Sequence, residues 1–365
     1  MDKMKRLIEC YVPVYACNMK CDYCYIKQNE QRHFEAKIAP FPYSPKHMTK
    51  CLNKERLGGT CLINLCAGGE TLLSHEVVEF ARLLLEEGHY VMIVSNGTIT
   101  KHIKELCEID SKLRKRLWFR LSFHYLELKR LKKLDTYFDN FNLIKNSGCS
   151  ASCEMVASDD YIPYIEEIKR ICMERIKSLP EINIARRESD FSTLTDLAEK
   201  EYDQVWEQFQ SKSFDLKKKT VGVKRKEFCY AGDWTVTLDL GTGYFSKCYS
   251  SPIQNIFKNP DEKIQFEAMG HNCPLPYCHN SHIWMTFGDI PELDFPTFAE
   301  VRCRNCVDGT RWLTNEMYNF VNCKLVETNG MYTKSRKLAV AFQQELNCFE
   351  RKLLSCMQKI RRRLK

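Results

Sequence analysis

Apolar and polar positions change period in a regular way along the chain. Residues 7–15 (LIECYVPVY) alternate and are rich in strand formers, the run CLINLC over 61–66 is a buried strand, and 45–57 between them is helical. The exchange continues through helix 74–87, strand 89–95, helix 100–115, strand 117–122, helix 126–146, strand 150–156, helix 161–177, strand 181–185 and a helical stretch over about 192–210. Six strand-then-helix units in succession predict an α/β fold with a parallel sheet and helices outside. The C-terminal ends of such strands line the pocket, which nominates Ser95, Asn96, Ser122, His124, Glu154 and Arg186 or Arg187.

The pattern then changes. Residues 211–227 are polar and lysine-rich and read as a linker leaving the core. Trp234 to Leu240 alternate, turn at Gly241-Thr242-Gly243 and return to Cys248, a β-hairpin signal with Cys229 ahead of one arm and Cys248 at the end of the other. Pro291 and Pro296 break the chain again, and 310–328 and 335–360 are helical. The expected organisation is a core over 1–215, a small hairpin domain over 216–295 and a helical extension over 296–365.

Composition narrows the setting. A chain of 365 residues can bury a full core, and no apolar run approaches a membrane span. Lys3, Lys5, Arg6 and Glu9 stand where a signal peptide needs apolar residues, so the expected location is cytoplasmic. Twenty cysteines in a chain without an export signal favour reduced thiols and metal ligation over disulfides. The formal charge of +8 is spread out except at Lys217-Lys218-Lys219, Lys224-Arg225-Lys226 and Arg361-Arg362-Arg363, which makes nucleic acid an unfavoured partner.

Three of the cysteines stand together in Cys17-Asn18-Met19-Lys20-Cys21-Asp22-Tyr23-Cys24, just past the first strand. Three thiolates on one loop can hold three irons of a cubane cluster and leave the fourth open to a small ligand. Zinc usually takes paired CxxC knuckles with a fourth ligand nearby, and no such pair follows within a finger's length. Ala67-Gly68-Gly69-Glu70 ends the second strand. Two glycines there allow close backbone approach to a ligand, and one carboxylate can receive an ammonium group.

The CxxxCx(aromatic)C loop followed one strand later by GGE resembles the radical S-adenosylmethionine (SAM) superfamily. The resemblance implies a partial (β/α)6 TIM-like barrel, and six units match that number. It also implies a SAM-binding [4Fe-4S] cluster on Cys17, Cys21 and Cys24, with Tyr23 beside the adenine and Gly68, Gly69 and Glu70 at the methionine moiety. Asn96 and Ser122 are then the choices for SAM's carboxylate or ribose. Cys229, Gly243 and Cys248 resemble the SPASM/twitch extension of that superfamily, and with Cys273 and Cys278 they imply one auxiliary [4Fe-4S] cluster. Cys303, Cys306 and Cys323 fit no such spacing and stand as either core thiols or ligands of a second cluster or zinc, while His279 and His282 beside Cys278 are candidate ligands that read more simply as polar loop residues.

The expected reaction is reductive cleavage of SAM to a 5′-deoxyadenosyl radical, followed by hydrogen abstraction from an unactivated C–H bond. An auxiliary cluster saturated by four cysteines would accept the substrate radical's electron, giving an oxidation or a crosslink. Peptide or protein is the first substrate expectation. Only 16 residues precede Cys17, which leaves no room there for a leader-recognition domain and strengthens a carbohydrate or aminocyclitol alternative. An epimerase would need a hydrogen-donating cysteine, for which Cys149 and Cys153 are the candidates. A flavodoxin or ferredoxin is the expected electron donor, its acidic surface suited to a mildly basic partner. The remaining alternative is a non-catalytic, metal-stabilised binding module, which zinc in place of iron and sulfide would establish.

Overall fold

The computed structural model describes residues 2–28, 36–190, 192–248, 252–271, 273–278, 287–346 and 357. His279, His282 and Arg361-Arg362-Arg363 lie outside them. Six parallel strands form the core: β1 (Arg6–Val12), β2 (Cys61–Ala67), β3 (Tyr90–Ser95), β4 (Leu117–Ser122), β5 (Ser150–Ala157) and β6 (Glu181–Ile184). They lie side by side in chain order, as the alternating pattern predicts.

The crossovers carry α1 (Pro45–Cys51), α2 (Lys54–Leu57), α3 (Glu76–Glu86), α4 (Thr100–Cys107), α5 (Ser111–Arg114), α6 (Tyr125–Arg130), α7 (Leu134–Asn146) and α8 (Ile165–Ile176). Several expected single helices are thus broken in two. The break between α1 and α2 has a local cause: the Asn53 side chain accepts from Arg56 N at 2.8 Å and starts a new helix there. α3 shows why these helices dock: Val77, Val78, Phe80, Ala81, Leu84 and Leu85 fall on one face and are buried.

Alternation along the strands gives the sheet two unlike faces. Ile8, Cys10, Ile63, Leu65, Val91, Ile93, Phe119, Leu121, Ala151 and Cys153 belong to one core that includes the helices' apolar stripes. The opposite face is apolar only toward the N-terminal strand ends. There Leu7, Leu62, Tyr90, Met92 and Trp118 are covered by the C-terminal segment through Phe298, Leu313, Met317 and Phe320. Tyr90 stacks on Phe320 with ring centroids 3.6 Å apart. Further along, the same face turns polar with Asn64, Arg120, Ser122, Glu154 and Asn183.

α9 (Glu199–Glu207) is followed by α10 (Lys212–Lys218), and here the linker expected over 211–227 is corrected. Ser211 caps α10, and its hydroxyl also accepts from Ile182 N at 2.9 Å and donates to Glu181 at 2.6 Å. That ties α10 to β6, so the lysines at its end belong to the core. The expected hairpin exists as β7 (Thr235–Asp239) and β8 (Tyr244–Ser246), with β9 (Pro252–Asn255) beside it. β7 pairs in parallel with β1, so the hairpin prolongs the core sheet beyond its first strand. After Pro291, α11 (Phe298–Arg302), α12 (Asn315–Val321) and α13 (Leu325–Asn329) replace the longer helix expected over 310–328, and 334–346 are helical.

Candidate active site

The loop after β1 is fastened to the ends of four successive strands. Gly69 N donates to Val14 O at 2.8 Å and Glu70 N to Ala16 O at 2.9 Å, which ties the loop to the end of β2. Asn96 Nδ2 donates to Asn18 Oδ1 at 2.7 Å and Asn18 Nδ2 to Thr98 Oγ1 at 2.9 Å, which ties it to β3. Lys20 N donates to Glu127 beyond β4, and the Tyr23 hydroxyl lies 2.6 Å from His124 Nδ1 and 2.8 Å from the hydroxyl of Tyr161 beyond β5. Met19 and Tyr23 are buried in the main core between these ties.

Gly69 is required by this docking, because a Cβ there would stand 2.0 Å from the Ala16 carbonyl oxygen. Gly68 faces the Tyr15 ring, 3.1 Å from where its Cβ would be. Glu70, expected to meet an ammonium group, is buried and accepts from Leu72 N at 3.0 Å, Ser95 Oγ at 2.7 Å and Asn96 N at 2.7 Å. Its carboxylate therefore joins the end of β2 to the end of β3. Burial pushes its pKa up, against the pull of those three donors.

Cys17 is exposed, and Cys21 and Cys24 are half-buried. Burial pushes the Cys21 thiol up to about 12, and the neighbouring Cys24 and Cys17 push it the same way. Burial also raises Cys17, with Glu70 and Cys24 adding to it. Three neighbouring thiols are a donor set suited to iron, which displaces their protons on binding. In a cubane each thiolate takes a different iron, so the sulfurs need not converge on one point.

On the polar end of the face opposite the helices, Glu154 Oε1 lies 3.0 Å from Arg120 Nε and 3.0 Å from Arg302 Nη1, and Asn183 Nδ2 donates to Oε2 at 3.0 Å. Burial opposes its charge, but the two guanidinium groups prevail and hold it at about 2. Lys217 of α10 donates to Asn183 Oδ1 at 2.6 Å, and burial pulls its pKa well below the ordinary value, with Arg302 acting in the same direction. Sequence reasoning nominated Glu154 and missed Lys217, Arg120 and Arg302, since a lysine in a polar run and arginines in ordinary elements carry no local mark of burial.

The second cysteine set also comes together. Cys229, Cys248, Cys273 and Cys278 line one cavity of about 50 Å³ with Lys224, His271 and Asp289. Cys229 pairs with Gly270 through two backbone hydrogen bonds, of 3.0 and 2.8 Å. Burial pushes its thiol up, and Asp289, Cys248 and Cys273 add to that. Cys248 holds a left-handed φ of 52°, an uncommon conformation for a side-chain-bearing residue.

Other cysteines behave as core. Cys303, Cys306 and Cys323 each face a carbonyl oxygen, those of Arg304, Ile176 and Phe320. Cys153, an expected hydrogen-donor candidate, is buried on the helix side, where Tyr137 donates to its Sγ at 3.3 Å. Cys149 is 1 % exposed and faces Cys107. Both are corrected to packing thiols, since β5 turns its opposite face, with Glu154, toward the polar end. Ser122 lies across from Glu154 in the β4–β5 register.

No protein-family profile matches the chain. It is 30% identical over 99 residues to a putative glycyl-radical enzyme activating enzyme of Methanocaldococcus jannaschii, a match covering 26% of this chain and 34% of that protein. The chain spans about a third of the length of that curated relative. The crystal structure of Streptococcus suis SuiB is similar at a TM-score of 0.48 and 14% identity, over 70% of this chain and 64% of that one. That of anSMEcpe with bound AdoMet is similar at 0.47 and 15%, over 71% and 79%.

The resemblance of the cysteine loop and GGE to the radical SAM superfamily implies SAM and a [4Fe-4S] cluster as cofactors. The three thiols after β1 fit that cluster by number and by spacing. Among the described residues no helix is long and apolar enough to cross a membrane.

Proposed function

We propose that this protein is a radical SAM enzyme that abstracts hydrogen from a C–H bond of a peptide or protein substrate and completes an oxidation or crosslink. Cys17, Cys21 and Cys24 hold the SAM-binding cluster, and the chemistry supplied there is one-electron cleavage of SAM to a 5′-deoxyadenosyl radical, with the electron from a flavodoxin or ferredoxin-type donor. Cys229, Cys248, Cys273 and Cys278 would hold an auxiliary [4Fe-4S] cluster, which would supply one-electron redox chemistry beside the substrate. The observation that carries this reading is the pairing of a three-thiol loop, fastened to four strand ends, with a four-thiol cavity beside a hairpin of the same sheet.

The chain's own residues have stated tasks in this reading. Asn18, Asn96 and Thr98 fix the loop's first cysteine over β3, and Tyr23 braces its last turn on His124 and Tyr161. Gly68, the Tyr23 backbone, Asn96 and Ser122 meet SAM. Arg120 and Arg302 crowd positive charge around one carboxylate, which suits a substrate group bearing negative charge.

Iron and sulfide content after anaerobic reconstitution, with a dithionite-driven SAM cleavage assay, tests the reading. About eight irons in the wild type and about four in the Cys17→Ala, Cys21→Ala, Cys24→Ala variant, with 5′-deoxyadenosine lost, is the expected result. A wild type with about four irons removes the auxiliary cluster. Stoichiometric zinc without iron removes the radical reaction altogether.

A further inference from the structure

Outside the cysteine sets, one group of side chains has the composition of a metal site. His75 stands immediately before α3, and His102 and Glu105 lie three residues apart on α4, a spacing that puts both on one helix face. One ligand atom from each of the three lies within 4.8 Å of the others, a span that a single ion can close. His75 Nε2 and Glu105 Oε2 are 2.9 Å apart, and the two imidazole rings are 5.2 Å apart.

A second observation concerns the ring of His102. Its Nδ1 lies 2.6 Å from the carbonyl oxygen of Leu72, which can only accept. Nδ1 therefore carries the proton and Nε2 keeps its lone pair. A backbone carbonyl that fixes the tautomer and the ring orientation is the usual outer support of a metal-binding histidine. His102 is 9 % exposed, whereas the His75 side chain is 64 % exposed, so one ligand is held rigidly and another can close on an ion from solvent.

We propose that His75, His102 and Glu105 bind one divalent cation of the zinc type, with water completing the coordination. Two imidazoles and a carboxylate are ligands zinc accepts, and hard cations such as magnesium and calcium prefer all-oxygen sets. The site's place in the fold gives the ion a structural consequence. His75 follows the GGE segment and His102 follows Asn96, while Leu72, whose carbonyl orients His102, donates its N–H to Glu70 at 3.0 Å. A bound ion clips the segment after β2 to α4.

The test uses cluster-loaded protein, so that the cysteines are occupied, titrated with zinc chloride by calorimetry and followed by zinc K-edge absorption fine structure. The expected result is one equivalent of zinc with nitrogen and oxygen neighbours at about 2.0–2.1 Å and no sulfur at about 2.3 Å. Zinc should raise the Tm of the wild type. In His75→Ala, an exposed change that should leave iron content and circular dichroism unaltered, affinity should fall at least ~10-fold and the Tm rise should vanish. Glu105→Gln should weaken binding in the same direction. No zinc bound to the wild type, a sulfur shell, or an unchanged isotherm in His75→Ala overturns the proposal.

Discussion

Cys17, Cys21 and Cys24 come from one loop, whereas Cys229, Cys248, Cys273 and Cys278 come from chain segments far apart in sequence that meet around one cavity. The first set gains its shape from outside: Gly69, Asn96, Glu127 with His124, and Tyr161 hold the loop from four strand ends. The second set is shaped by its own surroundings, with the Cys229–Gly270 pairing and the left-handed Cys248 drawing the walls together. Three thiols with one of them exposed suit a cluster that must admit a ligand. Four half-buried thiols around one cavity leave no ligand position open if all four bind.

This difference can be broken most directly at the second set. The Cys229→Ala, Cys248→Ala variant should lose about four of eight irons while dithionite-driven formation of 5′-deoxyadenosine continues within ~10-fold of wild type. Parallel loss of both activities would mean that the two sets are one structural unit. Gly69→Ala acts on the first set alone. Its new Cβ would stand 2.0 Å from a carbonyl oxygen, so the loop must move, at a cost of about 1–3 kcal/mol in denaturant unfolding and with iron loss confined to that set.

Glu70→Ala leaves the N–H groups of Leu72 and Asn96 and the Ser95 hydroxyl without their acceptor. A stability loss of about 1–3 kcal/mol is expected, with weakened SAM binding by calorimetry and an intact second set. A loss of auxiliary iron instead would show that the strand-end ties serve both sets.

The smallest effect is a pH dependence. Burial holds His124 at about 4, below its ordinary value of 6.5, although Glu127 pulls the other way. The unfolded chain therefore binds the extra proton first, so stability is full above pH 6.5 and falls as pH drops toward 4. Between pH 6.5 and 5.5 this histidine should account for about 1 kcal/mol of loss. His124→Phe should remove that part of the slope in urea unfolding. His89, also held at about 4 by burial, contributes equally to both proteins and cancels in the comparison.

Much of the core was legible because period alone carries it. Strand residues such as Ile63 and Leu65 alternate, α3 repeats its apolar positions at helical spacing, and both rules are local. The cysteine loop and GGE were legible because their residues are contiguous. The linker over 211–227 was misread because Lys217 looks like any solvated lysine until Ser211 ties α10 to β6. Likewise Cys149 and Cys153 looked available near a strand, and only strand pairing decides which face each one takes.

The chain's linear order was enough to set the α/β class, the six-strand parallel core and the three-thiol loop, since each depends on residues within a few positions of one another. Tertiary structure alone decided that the hairpin joins β1 and that Arg302 from the C-terminal segment reaches Glu154 on β5. It also put His75 beside His102. Those contacts join residues widely separated in sequence, and which of many such pairs form is settled by burial and packing of the whole chain, which no local spacing records.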